Sequence, residues 1–186
     1  MKRIYLAIVA ALAIPLVGAA QQAASDGAQG AAQPEANPVS NYVRQVVDRE
    51  SKLIVAAVDE MPADKYAYHP TPEQMTFGHL VMHMANTNNF LCSKISGMAL
   101  PAGEKLSDTD PKDKLEAALK ASFEFCTTAL AKADDSNLGE SISLSATRTM
   151  SRAGAMITLT DDFYDHYSTA AMYLRMNGLT PPSAQK

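Results

Sequence analysis

Two pairs of side chains in this sequence have the types and the spacing of metal ligands. Asp162 and His166 are four residues apart, and His79 and His83 have the same separation. Side chains four residues apart lie one turn apart on the same face of an α-helix. A carboxylate and imidazoles brought together by two helices could hold a divalent transition metal and leave positions free for water or substrate. These residues are therefore candidates for a metal site.

Ordinary structural roles are the alternative for the same residues, because such spacings also occur by chance in many helices. His83 and His166 could be hydrogen-bonded interior histidines or members of a His and Asp pair, and His79 a boundary residue. A thiolate zinc site and a dithiol redox motif are excluded, since Cys92 and Cys126 are the only cysteines and form no Cys-x-x-Cys pair.

The first two of four predicted amphipathic helices are bounded by clear start and stop signals. Asn37 is predicted as the cap of the first helix, with Pro38 at its first position, and Met61 precedes the proline that ends it. Thr76 is predicted to cap the second helix, which ends at Gly97. The second helix carries both His79 and His83.

The other two predicted helices complete a bundle. The third starts at the cap Asp110, which precedes a proline, and continues through Leu130. A short extended piece is predicted near 141–146, and the fourth helix runs from Arg152 to Asn177. Four helices of this length are the parts of an all-α four-helix bundle, which often holds ligands or metals between facing helices.

Length and composition agree with one helical domain. The chain has 186 residues, no tryptophan and ten methionines, a mix that disfavours an all-β fold. It has 16 basic and 20 acidic residues and a net charge of −4. No nucleic-acid partner is expected, because binding to nucleic acid needs clustered Lys and Arg.

The N-terminal region predicts export. Residues 1–20 combine a basic start, an apolar run and small residues, as in a cleaved signal peptide. Residues 21–37 are rich in Ala, Gln and Gly and are predicted to be a flexible leader, followed by the folded domain over 38–182 and a tail over 183–186. The protein is therefore expected to be periplasmic or secreted, with no stable membrane anchor after cleavage.

Three segments in this order resemble the DinB-like superfamily. Residues 68–85 read YHPTPEQMTFGHLVMHMA, Asp162 and His166 follow, and residues 173–182 read YLRMNGLTPP. The resemblance covers about residues 39–182. It implies a four-helix bundle in an up-down-down-up arrangement, with a divalent metal held by one histidine of the second helix and two of the fourth.

Carried over by position, the resemblance implies His83 and His166 as two of the metal ligands. Asp162 stands where a histidine is usual, so the third ligand departs from the family pattern. Aspartate can ligate zinc, nickel, iron or manganese, and the site could survive as two histidines and a carboxylate or could have lost affinity. His79 is then either a replacement ligand or a residue that supports the ligands.

The implied arrangement also concerns the two cysteines. If the second and third helices are parallel, Cys92 and Cys126 lie at similar heights, about 16 or 17 residues into their helices. In an oxidising compartment a Cys92–Cys126 disulfide is then expected. Two buried free thiols are the alternative.

Two functional hypotheses follow. The first is an exported, divalent-metal-dependent enzyme with hydrolase-like chemistry and an unknown small-molecule substrate; low-molecular-weight thiols, which some family members use, are chiefly cytosolic. The second is a non-catalytic envelope bundle, in the form of a homodimer for example, that binds a ligand or partner and keeps a vestigial metal site. The sequence assigns no catalytic acid or base.

Overall fold

Four α-helices and a small β-hairpin form the part of the chain that the structure, a computed structural model, describes, namely residues 34–185. Their bounds are α1 Pro38–Glu60, α2 Phe77–Ser96, α3 Lys112–Leu130, β1 Ser141–Ser143, β2 Thr149–Ser151 and α4 Arg152–Met176. The all-α prediction is confirmed. The predicted signal peptide and most of the predicted leader lie outside the described residues.

The helices α2 and α3 pack side by side and run parallel. The Asn88 side-chain amide donates to the Ser122 hydroxyl at 3.0 Å, and one turn further along both helices Cys92 and Cys126 form a disulfide. Their Cα atoms are 5.2 Å apart. Residues later in α2 therefore contact residues later in α3, which requires the two helices to be parallel. The disulfide prediction is confirmed.

The helices α2 and α4 pack together in opposite directions. Phe77 at the start of α2 contacts Tyr173 near the end of α4, with ring centroids 6.2 Å apart. His83, further along α2, contacts His166, which lies earlier in α4. Residues later in α2 therefore contact residues earlier in α4, so the two helices are antiparallel.

The helices α1 and α3 are also antiparallel. The Arg44 guanidinium donates to the backbone carbonyl of Leu130 at the end of α3, and the Lys112 ammonium at the start of α3 donates to the carbonyl of Asp59 near the end of α1. With α2 parallel to α3 and opposed to α4, the order is up-down-down-up, as the resemblance implied.

Apolar side chains from all four helices fill the centre of the bundle. Phe123 of α3 and Phe163 of α4 meet there, with ring centroids 5.4 Å apart. The predicted extended piece near 141–146 is the strand β1, whose partner β2 was not predicted, and Ile142 of β1 is buried against the core. Among the described residues, none of the helices has the length and apolar character to cross a membrane.

The start of α1 differs from the prediction in its cap. Asn37 occupies the cap position with a left-handed backbone (φ 56°), and its side chain does not cap the helix. Instead the Asp135 carboxylate accepts hydrogen bonds from the backbone N–H groups of Val39 and Ser40, each at 2.9 Å. The Asn37 side-chain oxygen accepts from the backbone N–H of Asp135 at 3.1 Å. A residue 96 positions from Val39 therefore satisfies the free donors of this helix end.

The predicted cap of α3 was wrong. The helix begins at Lys112, and the Asp110 carboxylate accepts from the backbone N–H of Ser107 at 2.8 Å and from the Lys114 ammonium at 3.2 Å. Asp110 thus closes a turn before the helix. The predicted cap of α2 is confirmed, because the Thr76 hydroxyl accepts from the backbone N–H of His79.

Residues 97–111 form a crossover segment that joins the end of α2 to the start of α3. Because the two helices are parallel, this segment must return along the bundle. It passes close to Gly78, where an added Cβ would lie 2.5 Å from the backbone oxygen of Asp108. The Gly78 N–H also donates to the carbonyl of Tyr66 at 2.8 Å. Glycine is required here by close backbone approach.

We expect Gly78→Ala to lower the free energy of unfolding by about 1–3 kcal/mol, which is the usual cost of overpacking. This loss is expected even though alanine has a higher helix propensity than glycine. Urea unfolding measures the effect. Gly139→Ala is the matched control, since a Cβ at Gly139 would meet nothing within 4 Å. Equal unfolding midpoints for the two variants would contradict the close approach.

Candidate metal centre

Three of the predicted site residues come together at the interface of α2 and α4. His83 lies on α2, and Asp162 and His166 lie on α4. One potential ligand atom from each residue lies within 4.8 Å of those from the other two. The antiparallel packing of α2 against α4 therefore makes one site from two separate sequence motifs.

The position of Asp162 and His166 on α4 follows from helical spacing. Both lie one turn apart at the edge of the apolar stripe that contains Leu159 and Phe163, which are buried in the core. The His166 side chain is 9% exposed and the Asp162 side chain 18% exposed. The site is thus largely shielded but lies at the border of the bundle.

The orientation of the His166 ring is fixed by its own helix. Its Nδ1 lies 2.6 Å from the backbone oxygen of Asp162, to which it donates a hydrogen bond. The Asp162 Oδ2 atom is also close, at 3.3 Å from Nδ1, but it lacks the geometry of a hydrogen bond. With the proton on Nδ1, the Nε2 lone pair of His166 is free to bind a cation.

The two histidines have opposite pKa shifts. Burial lowers the pKa of His83, and repulsion from His166 lowers it further. Burial alone would also lower the pKa of His166, but the Asp162 carboxylate and backbone carbonyl outweigh burial and raise it. His83 therefore favours the neutral form, which is the form that ligates metals.

A comparison with known proteins identifies the family of this chain. The model of the DinB superfamily matches residues 47–170, which is well over half of the chain. The chain belongs to the DinB superfamily. No curated protein sequence matches it.

Three solved structures have a similar fold, and two of them are DinB-like proteins. A DinB-like protein from Bacillus subtilis is 17% identical with a TM-score of 0.63, covering 78% of this chain and 100% of that protein. A DinB-like protein from Bacillus cereus is 18% identical with a TM-score of 0.63, covering 76% and 95%. A conserved protein from Enterococcus faecalis is 15% identical with a TM-score of 0.57, covering 74% and 95%.

The donor set of this DinB-superfamily chain fits a divalent transition metal. The Asp162 Oδ2 atom is buried and has no hydrogen-bond partner among the described residues. A buried carboxylate oxygen without a partner is costly, and a cation would satisfy it. Two imidazoles and a carboxylate suit zinc, nickel, iron or manganese. One potential ligand atom from each residue lies within 4.8 Å of the other two, so small side-chain movements would bring all three to about 2.0–2.2 Å from one ion.

His79 is not part of the group of three. Its Nδ1 lies 3.5 Å from Oδ2 of Asp108 in the crossover segment, and the two side chains are 42% and 44% exposed. His79 therefore faces the crossover segment, and Asp162 remains the third candidate ligand of this DinB-superfamily site. Thr87, which sequence reasoning did not single out, lies with Oγ1 3.5 Å from Nε2 of His83. Its signal in the sequence is the spacing of four residues from His83.

The tyrosines near the candidate ligands in sequence have other partners. The Tyr164 hydroxyl contacts the Tyr42 hydroxyl and the Arg49 guanidinium of α1. The Tyr167 hydroxyl accepts from the backbone N–H of Ser183 at 2.8 Å. Neither hydroxyl is therefore assigned a role at the DinB-superfamily site.

Proposed function

We propose that this protein is an exported metal-dependent enzyme with hydrolase-like chemistry and a small-molecule substrate. The observation that supports the proposal is that His83, Asp162 and His166 place potential ligand atoms within 4.8 Å of one another, while the buried Asp162 Oδ2 atom has no hydrogen-bond partner among the described residues. Three protein ligands leave coordination positions for water and substrate, which is the arrangement of catalytic metal sites.

Each of the three residues has a distinct part in this proposal. Asp162 supplies negative charge that offsets the charge of a divalent ion, and its backbone carbonyl holds the His166 ring with Nε2 free. His83 offers a neutral imidazole because its pKa is lowered by burial. If these three residues held a divalent ion, the chemistry supplied would be a lowered pKa of water, and so a nucleophile near neutral pH.

Export is supported by two features. Residues 1–20 have the pattern of a signal peptide. The disulfide between Cys92 and Cys126 fits an oxidising compartment, because thiols are kept reduced in the cytosol. N-terminal sequencing of the protein from the periplasm or medium tests this part, and a chain that keeps Met1 in the cytosol would contradict it.

The metal content of the purified protein tests the central part of the proposal. We expect about one ion per chain after dialysis against Zn²⁺, Ni²⁺, Fe²⁺ or Mn²⁺, measured by mass spectrometry of the elements. His83→Ala should lose the ion, because His83 is the candidate ligand that α2 contributes to the group of three. His79→Ala is the matched control and should keep it, because His79 faces Asp108 instead.

A non-catalytic envelope bundle is the second candidate, and one observation favours it. Asp162 Oδ2 lies 3.3 Å from His166 Nδ1, so a protonated His166 and Asp162 could neutralise each other without an ion. A folded wild type that binds no metal would overturn the enzyme proposal and favour this alternative. If metal binds, hydrolysis of a panel of esters, amides and phosphoesters by wild type but not by His83→Ala supports the enzyme; no turnover contradicts it.

A further inference from the structure

The surroundings of the Asp162 carboxylate leave its charge available to a bound ion. Its Oδ2 atom is buried and accepts no hydrogen bond from any described residue. The Asp135 carboxylate is different, because the backbone N–H groups of Val39 and Ser40 both donate to it. Protein donors thus disperse the charge of Asp135 but not the charge on Oδ2 of Asp162.

Basic side chains do not neutralise Asp162 either. Within residues 34–185, it forms no ion pair with a lysine or an arginine, and its partner is Nδ1 of His166 at 3.3 Å. That nitrogen already donates to the backbone carbonyl of Asp162. When His166 is neutral, the carboxylate therefore keeps its negative charge.

The other two donors of the candidate metal centre are nitrogens. The rings of His83 and His166 face each other across the interface of α2 and α4, with centroids 4.9 Å apart and planes tilted by 45°. Potential ligand atoms of these two residues and Asp162 all lie within 4.8 Å of one another. The centre therefore offers two neutral nitrogens and one charged oxygen.

Nitrogen and oxygen donors rank divalent ions differently. For a given donor set, affinity rises from Mn²⁺ through Fe²⁺ to Ni²⁺. The rise is steep for imidazole, which binds by donating a lone pair, and shallow for a carboxylate, which binds mainly through charge that all these ions attract equally. Carboxylates accordingly suit Mn²⁺, and two histidines with one carboxylate are the donor set of many Fe²⁺ sites.

We infer that Asp162 determines which ions this centre takes: its carboxylate lets the site hold Mn²⁺ and Fe²⁺, which three imidazoles would hold far more weakly relative to Ni²⁺. The inference rests on the proposed function, because it concerns the same site, and it names the class of ion for that site.

Competition between Mn²⁺ and Ni²⁺ for the purified protein tests the inference without an activity assay. Electron paramagnetic resonance measures free Mn²⁺, whose signal falls on binding and returns when Ni²⁺ displaces the bound ion. We expect Asp162→His to raise the ratio of Ni²⁺ affinity to Mn²⁺ affinity at least about tenfold over wild type, because a third imidazole replaces the oxygen donor.

Two control variants separate the donor atom from other effects. Asp161→His adds an imidazole at the exposed preceding position of α4 and should leave the ratio unchanged. Asp162→Glu keeps a carboxylate, so the ratio should stay near that of wild type even if both affinities fall. A ratio that rises equally in Asp161→His and Asp162→His would overturn the inference.

Asp162→Cys gives a second measure if circular dichroism shows that Asp162→His does not fold. Cysteine is about the size of aspartate, and its thiolate favours Zn²⁺, so the ratio of Zn²⁺ affinity to Mn²⁺ affinity should rise at least about tenfold. A wild type that binds ions with ratios that neither exchange changes, or that binds Ni²⁺ but not Mn²⁺, would overturn this inference alone. A wild type that binds no ion would overturn the proposed function as well.

Discussion

Replacing Asp162 by alanine is expected to weaken Zn²⁺ binding by about 100-fold or more while the bundle stays folded. Loss of residues that merely support metal ligands already costs about 10–100-fold in affinity, and Asp162 is proposed as a ligand itself. The substitution keeps the backbone carbonyl of residue 162, which accepts the hydrogen bond from Nδ1 of His166. The ring of His166 therefore keeps its orientation, and the loss of affinity reports the carboxylate alone.

Competition with a chromophoric chelator at constant pH measures this affinity. Asp161→Ala is the matched control, because Asp161 is an exposed acid at the preceding position of α4. It removes the same charge from the helix but no member of the group of three. Equal affinities for the two variants would show that only general electrostatics attracts the ion, and Zn²⁺ binding by Asp162→Ala at wild-type strength would remove Asp162 from the ligand set.

Reduction of the disulfide is expected to lower the free energy of unfolding by about 3–4 kcal/mol. The bond between Cys92 and Cys126 closes a loop of 34 residues, and the chain-entropy relation gives about this value for a loop of that length. Both cysteines are fully buried and join α2 to α3 near the ends of those helices. The cross-link therefore restricts the unfolded chain more than it changes the packing.

Urea unfolding of the oxidised protein and of protein refolded in reductant measures the difference. Both samples keep the same side chains, so loss of the cross-link is separated from loss of packing. The double variant Cys92→Ala/Cys126→Ala is the control and should unfold identically with and without reductant. Oxidised and reduced wild type with the same midpoint and slope would contradict the expected stabilisation.

Local features of the fold were predictable from the sequence because their causes lie within a few residues. Thr76 caps α2 through a hydrogen bond to a backbone group three residues later. Asp162 and His166 share one face of α4 because four residues make about one turn. The apolar periodicity that defines each helix has the same short range, and the all-α class follows from it.

Other features were decided by tertiary contacts. The sequence predicted that Asn37 caps the start of α1. The backbone N–H groups of this helix end donate instead to the carboxylate of Asp135, because the chain after α3 brings that residue to the start of α1. His79 likewise lies beside Asp108 of the crossover segment and not with the three candidate ligands. Neither contact has a local signature in the sequence.

The sequence by itself determined the four helices, the family motifs and the faces on which the candidate ligands lie. The tertiary structure decided that His83 meets Asp162 and His166, and that Asp162 Oδ2 is buried with no hydrogen-bond partner among the described residues. The physical reason is the distance along the chain over which the determining interactions act. Helix formation depends on neighbours within one or two turns, whereas the environment of a side chain depends on which helices pack against it and in which direction.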